Sequence, residues 1–281
     1  MKACREPFCR VRYTVSCPRL APGRQVKAVY LSDLHGKVPR GLAAAVAEEA
    51  PDLILLGGDL FEQYLPPGEK DDYHEILDTW LKGGQRRFIH ALKRADAFFV
   101  GRRRRKASGP EENEPIYRFL AEIAPLAPTC FAPGNHERLV DGAARARLAG
   151  MGVRYLENAA VTPVPGVAVG GLAIRYDTGF LDAFAAREET RVLLCHCPDY
   201  YDRLPAGREM DLVLAGHAHG GQIRLFGHGV FAPGQGFFPK YDGGRFGNLI
   251  VGRGLANTTL LPRLFNPREM VVLTLCGEKH A

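Results

Sequence analysis

The chain has 281 residues, 46% hydrophobic and 24% charged, with a net charge of +6. This is ordinary globular usage and excludes a disordered or fibrous protein. No apolar run approaches the roughly 18 residues of a membrane span, and Met1–Pro18 is polar and basic, without the apolar stretch of a secretory signal. The length sits near the upper end of what one hydrophobic core organises, which predicts a single domain over 1–281 carrying an insertion.

Residues 1–27 hold seven Lys or Arg against Glu6. Val26–Leu31 then reads as a buried strand and runs into Ser32, Asp33, Leu34, His35 and Gly36. Leu42–Ala50 is an Ala-rich helix stopped by Pro51, and Asp52–Leu56 is a second strand ending in Gly57, Gly58 and Asp59. Residues 62–113 break this rhythm. Tyr73, Ile76, Leu77, Trp80 and Leu81 form one helical stripe, and Phe88, Ile89, Leu92, Ala95, Phe98 and Phe99 form another, predicting an inserted helical hairpin. Its second half carries nine Lys or Arg at 86–106 against Asp96. Ile116, Phe119, Leu120 and Ile123 then repeat at helical spacing. Three further strands follow: Thr129–Ala132 before Pro133, Gly134, Asn135, His136 and Glu137; Arg191–Cys195 before His196; and Asp211–Ala215 before Gly216–Gly221. Strands alternating with helices predict an α/β sandwich, and every polar cluster lies where open sheets hold their ligands, at the carboxyl ends of strands.

The clusters supply Asp33, His35, Asp59, Asn135, His196, His217 and His219. Hard oxygens with imidazoles and no required thiolate suit Mn, Fe or Zn. Seven ligands are too many for one four-coordinate ion, whereas two ions about 3.5–4 Å apart, sharing a carboxylate, use them all. Asp59, after the second strand, is placed to bridge. In extended backbone Asp33 with His35, and His217 with His219, project to one side as pairs. Taken singly, Asp33 reads as a turn or cap residue, Asn135 as a turn residue and His196 as a core histidine; their recurrence at five strand ends argues for the metal site. Rival chemistry is excluded: the three serines (16, 32 and 108) lie outside any G-x-S-x-G elbow, and Gly36-Lys37 is followed by Val38, so there is no phosphate-binding loop. Cys195 and Cys197 face away from His196 in a strand and read as structural thiols. Seven scattered cysteines fit reduced thiols in the cytoplasm better than a disulfide framework. Residues 234–247 read as a turn-rich loop, with Tyr241 and Arg245 as candidate substrate contacts. The two basic clusters are either solvated faces or surfaces for an anionic partner.

Ser32-Asp-Leu-His35, Gly58-Asp59, Gly134-Asn-His-Glu137, His196 and Gly216-His-Ala-His219 together resemble the five motifs of the calcineurin-like metallophosphoesterases. Gly216–Ile223, Lys240-Tyr241 and the tail from Gly252 to Leu275 are similar to one bacterial branch, which includes membrane-associated enzymes and UDP-2,3-diacylglucosamine pyrophosphatases. The likeness covers residues 12–61 and 114–276. It implies a four-layer sandwich, two mixed β-sheets flanked by helices. It also implies a first divalent ion on Asp33, His35, Asp59 and His219, and a second on Asp59, Asn135, His196 and His217. Manganese is the first choice, with iron and zinc as alternatives. His136 matches the family's catalytic histidine, and a water bridging both ions is the implied nucleophile. Two departures stand out. Glu62 occupies a position where relatives often carry Asp, and the membrane helix that many members have at the N-terminus has no counterpart here, so any membrane contact is expected to be peripheral. The expected activity is hydrolysis of phosphate esters or pyrophosphates, with a lipid-linked pyrophosphate as one substrate and an anionic membrane surface as a partner. Hydrolysis of soluble metabolites or nucleotides stays open, as does a non-catalytic binding module. Nucleic acid is not expected, because the aromatics of the insertion follow helical stripes rather than a stacking pattern.

Overall fold

The computed structural model describes residues 7–62, 113–137, 140–203, 209–232, 235–257 and 262–278. In chain order the strands begin with β1 (Cys9–Ser16), β2 (Gln25–Leu31), β3 (Leu53–Leu56), β4 (Thr129–Phe131) and β5 (Val153–Tyr155). Next come β6 (Ala159–Val164), β7 (Val167–Leu172), β8 (Thr190–Cys195) and β9 (Leu212–Ala215). Two short hairpins follow, β10 (Arg224–Leu225) with β11 (His228–Gly229) and β12 (Phe231–Ala232) with β13 (Gly236–Phe237), before β14 (Gly244–Phe246), β15 (Leu249–Val251) and β16 (Glu269–Cys276). The helices are α1 (Leu42–Glu48), α2 (Glu114–Ile123), α3 (Gly142–Gly150), α4 (Thr178–Ala185) and α5 (Tyr200–Arg203).

Two six-stranded mixed sheets result, ordered β1-β16-β2-β3-β4-β5 and β14-β15-β9-β8-β7-β6. In the first, β2, β3, β4 and β5 run parallel and β16 lies antiparallel to β2; in the second, β7, β8, β9 and β15 run parallel between antiparallel β6 and β14. The period-two alternation of strands explains the layers. Val26, Ala28, Tyr30, Leu53 and Leu55 point inward and meet Val192, Leu194, Leu212, Leu214 and Ile250 of the other sheet. Val29, Leu31, Ile54 and Leu56 point outward onto α1 and α2. Leu193, Val213, Leu249 and Val251 of the second sheet point outward onto α4 and α5. Strands covered on both faces read as continuous apolar runs for this reason. The expected sandwich, two mixed sheets flanked by helices, is the observed one.

The helix expected from Ile116, Phe119, Leu120 and Ile123 forms as α2, with all four buried. The hairpin expected over 62–113 lies outside the described residues except for its ends. Those ends are joined, since Glu62 N donates to Asn113 Oδ1 (2.8 Å) and Asn113 Nδ2 to the Glu62 carbonyl (3.3 Å). Much of the N-terminal basic cluster is engaged within the fold: Arg12 forks onto buried Glu49 (2.6 and 2.8 Å), Arg10 reaches Glu48 and Glu49, Lys27 donates to the Glu49 carbonyl, and Arg19 pairs with Asp211. A solvated face is therefore too simple a reading for these residues. The cluster at 86–106 lies outside the described residues.

Candidate metal centre

Asp33 and His35 follow β2, Asp59 follows β3, Asn135 and His136 follow β4, His196 follows β8, and His217 and His219 follow β9. Parallel strands of both sheets thus end on one spot, and all seven candidate ligands are buried there. The extended backbone expected for the Asp33–His35 and His217–His219 pairs is not observed. Asp33, His35, Asp59, His217 and His219 all adopt left-handed φ, between 46° and 64°. Ladder pairing has ended by this point, and the loops instead lie against one another: Asp33 N donates to the Gly58 carbonyl (3.0 Å), His35 N to the Asp59 carbonyl (2.9 Å) and His217 N to Asp33 Oδ1 (2.9 Å). A left-handed residue other than glycine costs roughly 1–2 kcal/mol, and such strain collects where surrounding structure enforces it.

Among the seven candidate ligands the polar atoms converge in two groups, Asp33, His35 and His219 on one side and Asp59, His196 and His217 on the other, each with ligand atoms within 4.8 Å of one another; a third such group, His35, Asp59 and His136, lies between them. His35 Nε2 and His219 Nε2 are 3.2 Å apart, and Asp33 Oδ1 is 3.5 Å from His219 Nε2. Asp59 Oδ2 lies 3.7 Å from His35 Nε2 and 3.2 Å from His196 Nε2, so one carboxylate oxygen faces both groups. Asp33 Oδ2 and Asn135 Oδ1 are buried without a hydrogen-bond partner among the described residues. Buried polar atoms ordinarily find partners, so this donor set fits divalent cations. The Gly57 carbonyl can only accept, so His196 Nδ1, 2.8 Å away, carries the proton and Nε2 faces Asp59.

Electrostatics agrees. Burial, with His136 beside His35 and His196 beside His217, holds both imidazoles well below the usual histidine range, and burial also lowers His219. Neutral rings offer the lone pairs a metal requires. Burial disfavours the His196 cation, but the charge and hydrogen bond of Asp59 reverse this and raise His196 to about 10. A cation replacing that proton would take the same place in the field of Asp59.

His136 stands apart. Its backbone N–H donates to Asp59 Oδ1 (2.9 Å), its ring packs edge-on against His35 at 4.5 Å, and its side chain is 18% exposed. Its Nε2, 4.0 Å from Asp59 Oδ2, is also within ligand range of His35 and Asp59.

Glu137 is the functional residue that sequence reasoning passed over. Its buried carboxylate accepts four backbone N–H bonds, from Asp59 (2.7 Å), Leu60 (2.8 Å), Phe61 (3.0 Å) and Gly134 (2.7 Å). It therefore fixes the β3 and β4 loops together. Burial and the neighbouring Asp59 raise its carboxyl to about 7, against the pull of the donors. The signal was present, an acidic residue closing a strand-end cluster and directly following two candidate site residues. Gly134 is required beside it, because a Cβ there would collide with the Asp59 carboxylate and backbone.

The candidate substrate contacts are engaged elsewhere. Tyr241 is buried in the outer core of the second sheet, and its hydroxyl donates to Asp202 (2.9 Å); Arg245 donates to the carbonyls of Gly247 (2.9 Å) and Thr14 (3.0 Å). Both side chains serve to pack and tie structure. Glu62 is held through its backbone to Asn113, as above. Cys195 and Cys197 lie in the same outer core, opposite His196, and burial raises the Cys195 thiol to about 12.

An uncharacterized protein, YpbG of Bacillus subtilis (strain 168), is 31% identical over 94 residues, 32% of either chain, so the match spans about a third of that relative's length. Among solved structures, TT1561 of Thermus thermophilus aligns over 69% of this chain and 82% of its own, with 13% identity and a TM-score of 0.38. The Thermus thermophilus sulfate thiohydrolase SoxB, solved with glycerol, aligns over 91% of this chain and 57% of its own, with 15% identity and a TM-score of 0.39. Residues 26–221, which run from the strand before Asp33 to just beyond His219, match the calcineurin-like phosphoesterase family, so this chain belongs to that family.

Proposed function

We propose that the protein is a two-metal phosphoesterase in which Asp33, His35, Asp59 and His219 hold one ion and Asp59, Asn135, His196 and His217 the other, with manganese as the favoured metal. The observation that carries this reading is Asp59 Oδ2, which faces His35 Nε2 at 3.7 Å and His196 Nε2 at 3.2 Å; this supports a bridging role for Asp59. When bound, such ions supply an activated water and neutralise phosphoryl oxygens. His136 is less buried than any of the seven ligands and, at 18% exposed, meets substrate from the solvent side, where it stabilises phosphoryl charge or protonates the leaving oxygen. Glu137 holds Asp59 and Gly134 in place through the four bonds described above.

The finer reading places the chain in the bacterial branch that Gly216–Ile223 resembles, acting on a lipid-linked pyrophosphate such as UDP-2,3-diacylglucosamine from the cytoplasmic side. Large exposed apolar side chains on the loops beyond His219 support a lipid-bearing substrate or surface: Phe226 is 101% exposed, Phe238 75% and Phe265 73%. Free thiols at Cys17, Cys130, Cys195 and Cys276 support a reducing compartment. No helix among the described residues is long and apolar enough to cross a membrane. The test is a panel with Mn²⁺-reconstituted protein: a monoester, a diester, a nucleotide pyrophosphate and UDP-diacylglucosamine. Preference for the last is expected. Turnover of the soluble substrates alone would leave a phosphoesterase of metabolites or nucleotides as the reading. Asp59→Asn is expected to lose both ions and turnover while remaining folded; normal metal content with more than a few per cent of activity would overturn the two-metal assignment.

A further inference from the structure

The segment following Gly252 lies over the first of the two ligand groups, and its contacts centre on one guanidinium. Arg263 has no ion pair among the described residues; all its partners are oxygens of two short stretches. Its Nη atoms donate to the carbonyls of Arg253 (2.6 Å), Ala256 (2.9 Å), Gly254 (3.4 Å) and Pro267 (3.4 Å) and to Asn266 Oδ1 (3.3 Å), and its Nε donates to the Asn266 carbonyl (3.1 Å). Each stretch in turn holds one ligand. Leu255 N donates to the Ser32 carbonyl (3.2 Å) and Ala256 N to the Asp33 carbonyl (2.9 Å). On the other side buried Asn266 donates through Nδ2 to the carbonyls of His219 (2.7 Å) and Gln222 (3.1 Å).

His219 needs such a hold. It sits at φ 47°, followed by Gly220 at φ 67° and Gly221 at φ 73°, a run of left-handed backbone that no regular hydrogen-bond ladder maintains. Gly220 also has no room for a side chain, since a Cβ would strike the Asn266 amide.

We propose that Arg263 and Asn266 are positioning residues of the first metal site, linking the backbone of His219 to that of Asp33 so that the two side chains meet at a fixed separation. The inference rests on the two-metal reading given above. Hydrogen-bonded partners behind metal ligands typically contribute 10- to 100-fold in affinity. Asn266→Ala, and Asn266→Asp, which keeps the size but removes the Nδ2 donor, are therefore expected to weaken one Mn²⁺ site 10- to 100-fold in calorimetric titration and leave the other at its wild-type affinity. The electron paramagnetic resonance spectrum at two equivalents of Mn²⁺ should change from that of a coupled pair to that of an isolated ion. Arg263→Lys, which keeps the charge but loses the planar fork, should give the same selective loss. The thermal midpoint of the metal-free protein should stay within a few degrees in all three variants.

Two tight sites of unchanged affinity in the Asn266 variants would overturn the inference and leave the two-metal reading standing. Equal weakening of both sites, with a fall in metal-free stability, would overturn it in favour of general scaffolding. Wild-type protein that binds fewer than two Mn²⁺ ions would overturn the reading on which it rests.

Discussion

Glu137 illustrates how one side chain organises a site without being a candidate ligand. Its two oxygens satisfy four backbone donors from two loops, leaving neither oxygen for a cation. Glu137→Gln would turn an amide N–H₂ toward two of these donors. A buried donor left unsatisfied costs about 1–3 kcal/mol, so urea unfolding of the metal-free variant should show a loss of about 2 kcal/mol or more. An unchanged midpoint would mean that the loops are held by other contacts. His136 is the contrasting case. His136→Ala should leave two ions bound and lower kcat roughly 100-fold, the scale of a proton-transferring or charge-stabilising group. Loss of an ion instead would make it a ligand, as its reach to His35 and Asp59 allows.

Among elements, β1 and the end of α1 are tied by charge rather than by apolar burial. Arg12 forks onto Glu49, and Arg10 adds a contact at 3.3 Å. The Arg12 hydrogen bond, exceeding the opposing effect of burial, holds the Glu49 carboxyl below the usual carboxylate range. A group with a depressed folded value stabilises fully above its unfolded value and loses that contribution as pH falls through the folded one. Because Arg12 is largely exposed, the pair is worth about 1 kcal/mol. The stability difference between wild type and Glu49→Gln should therefore be near that size at neutral pH and shrink as pH falls below about 4.5. A difference that persisted at pH 3 would exclude the ion pair as its source.

For the whole molecule, the exposed rings of Phe226, Phe238 and Phe265 contribute little to the core. Replacing all three by Ser should leave thermal stability and hydrolysis of a small chromogenic diester unchanged. Partition onto anionic vesicles should weaken roughly tenfold for each ring that enters the interface. Identical sedimentation of wild type and variant with vesicles would remove the lipid surface as the partner of this face.

Much of the sandwich was written in local pattern. Short apolar runs closed by Gly or Pro, at 26–31, 52–56, 129–132, 191–195 and 211–215, form the parallel strands β2, β3, β4, β8 and β9. Strand-end clusters likewise marked the seven candidate ligands, because parallel strands place their carboxyl-terminal loops on one edge. The edge strands β1, β5, β6 and β14 escaped this reading, as did β7, β15 and β16 inside the sheets; the edges are short or half-exposed, and β1 pairs with the distant β16. Tertiary structure alone decided the rest. The candidate ligand side chains are aimed by left-handed turns and by contacts between loops, not by strand pleat, so sequence spacing pointed to residues that converge but expected the wrong local geometry. It also decided that Tyr241 packs in the core, that Glu137 binds four amides, and that Arg263, more than 40 residues after His219 in the chain, lies behind it. Spacing along a chain records which residues share a strand or helix, whereas which loops come to lie against one another depends on how the two sheets stack.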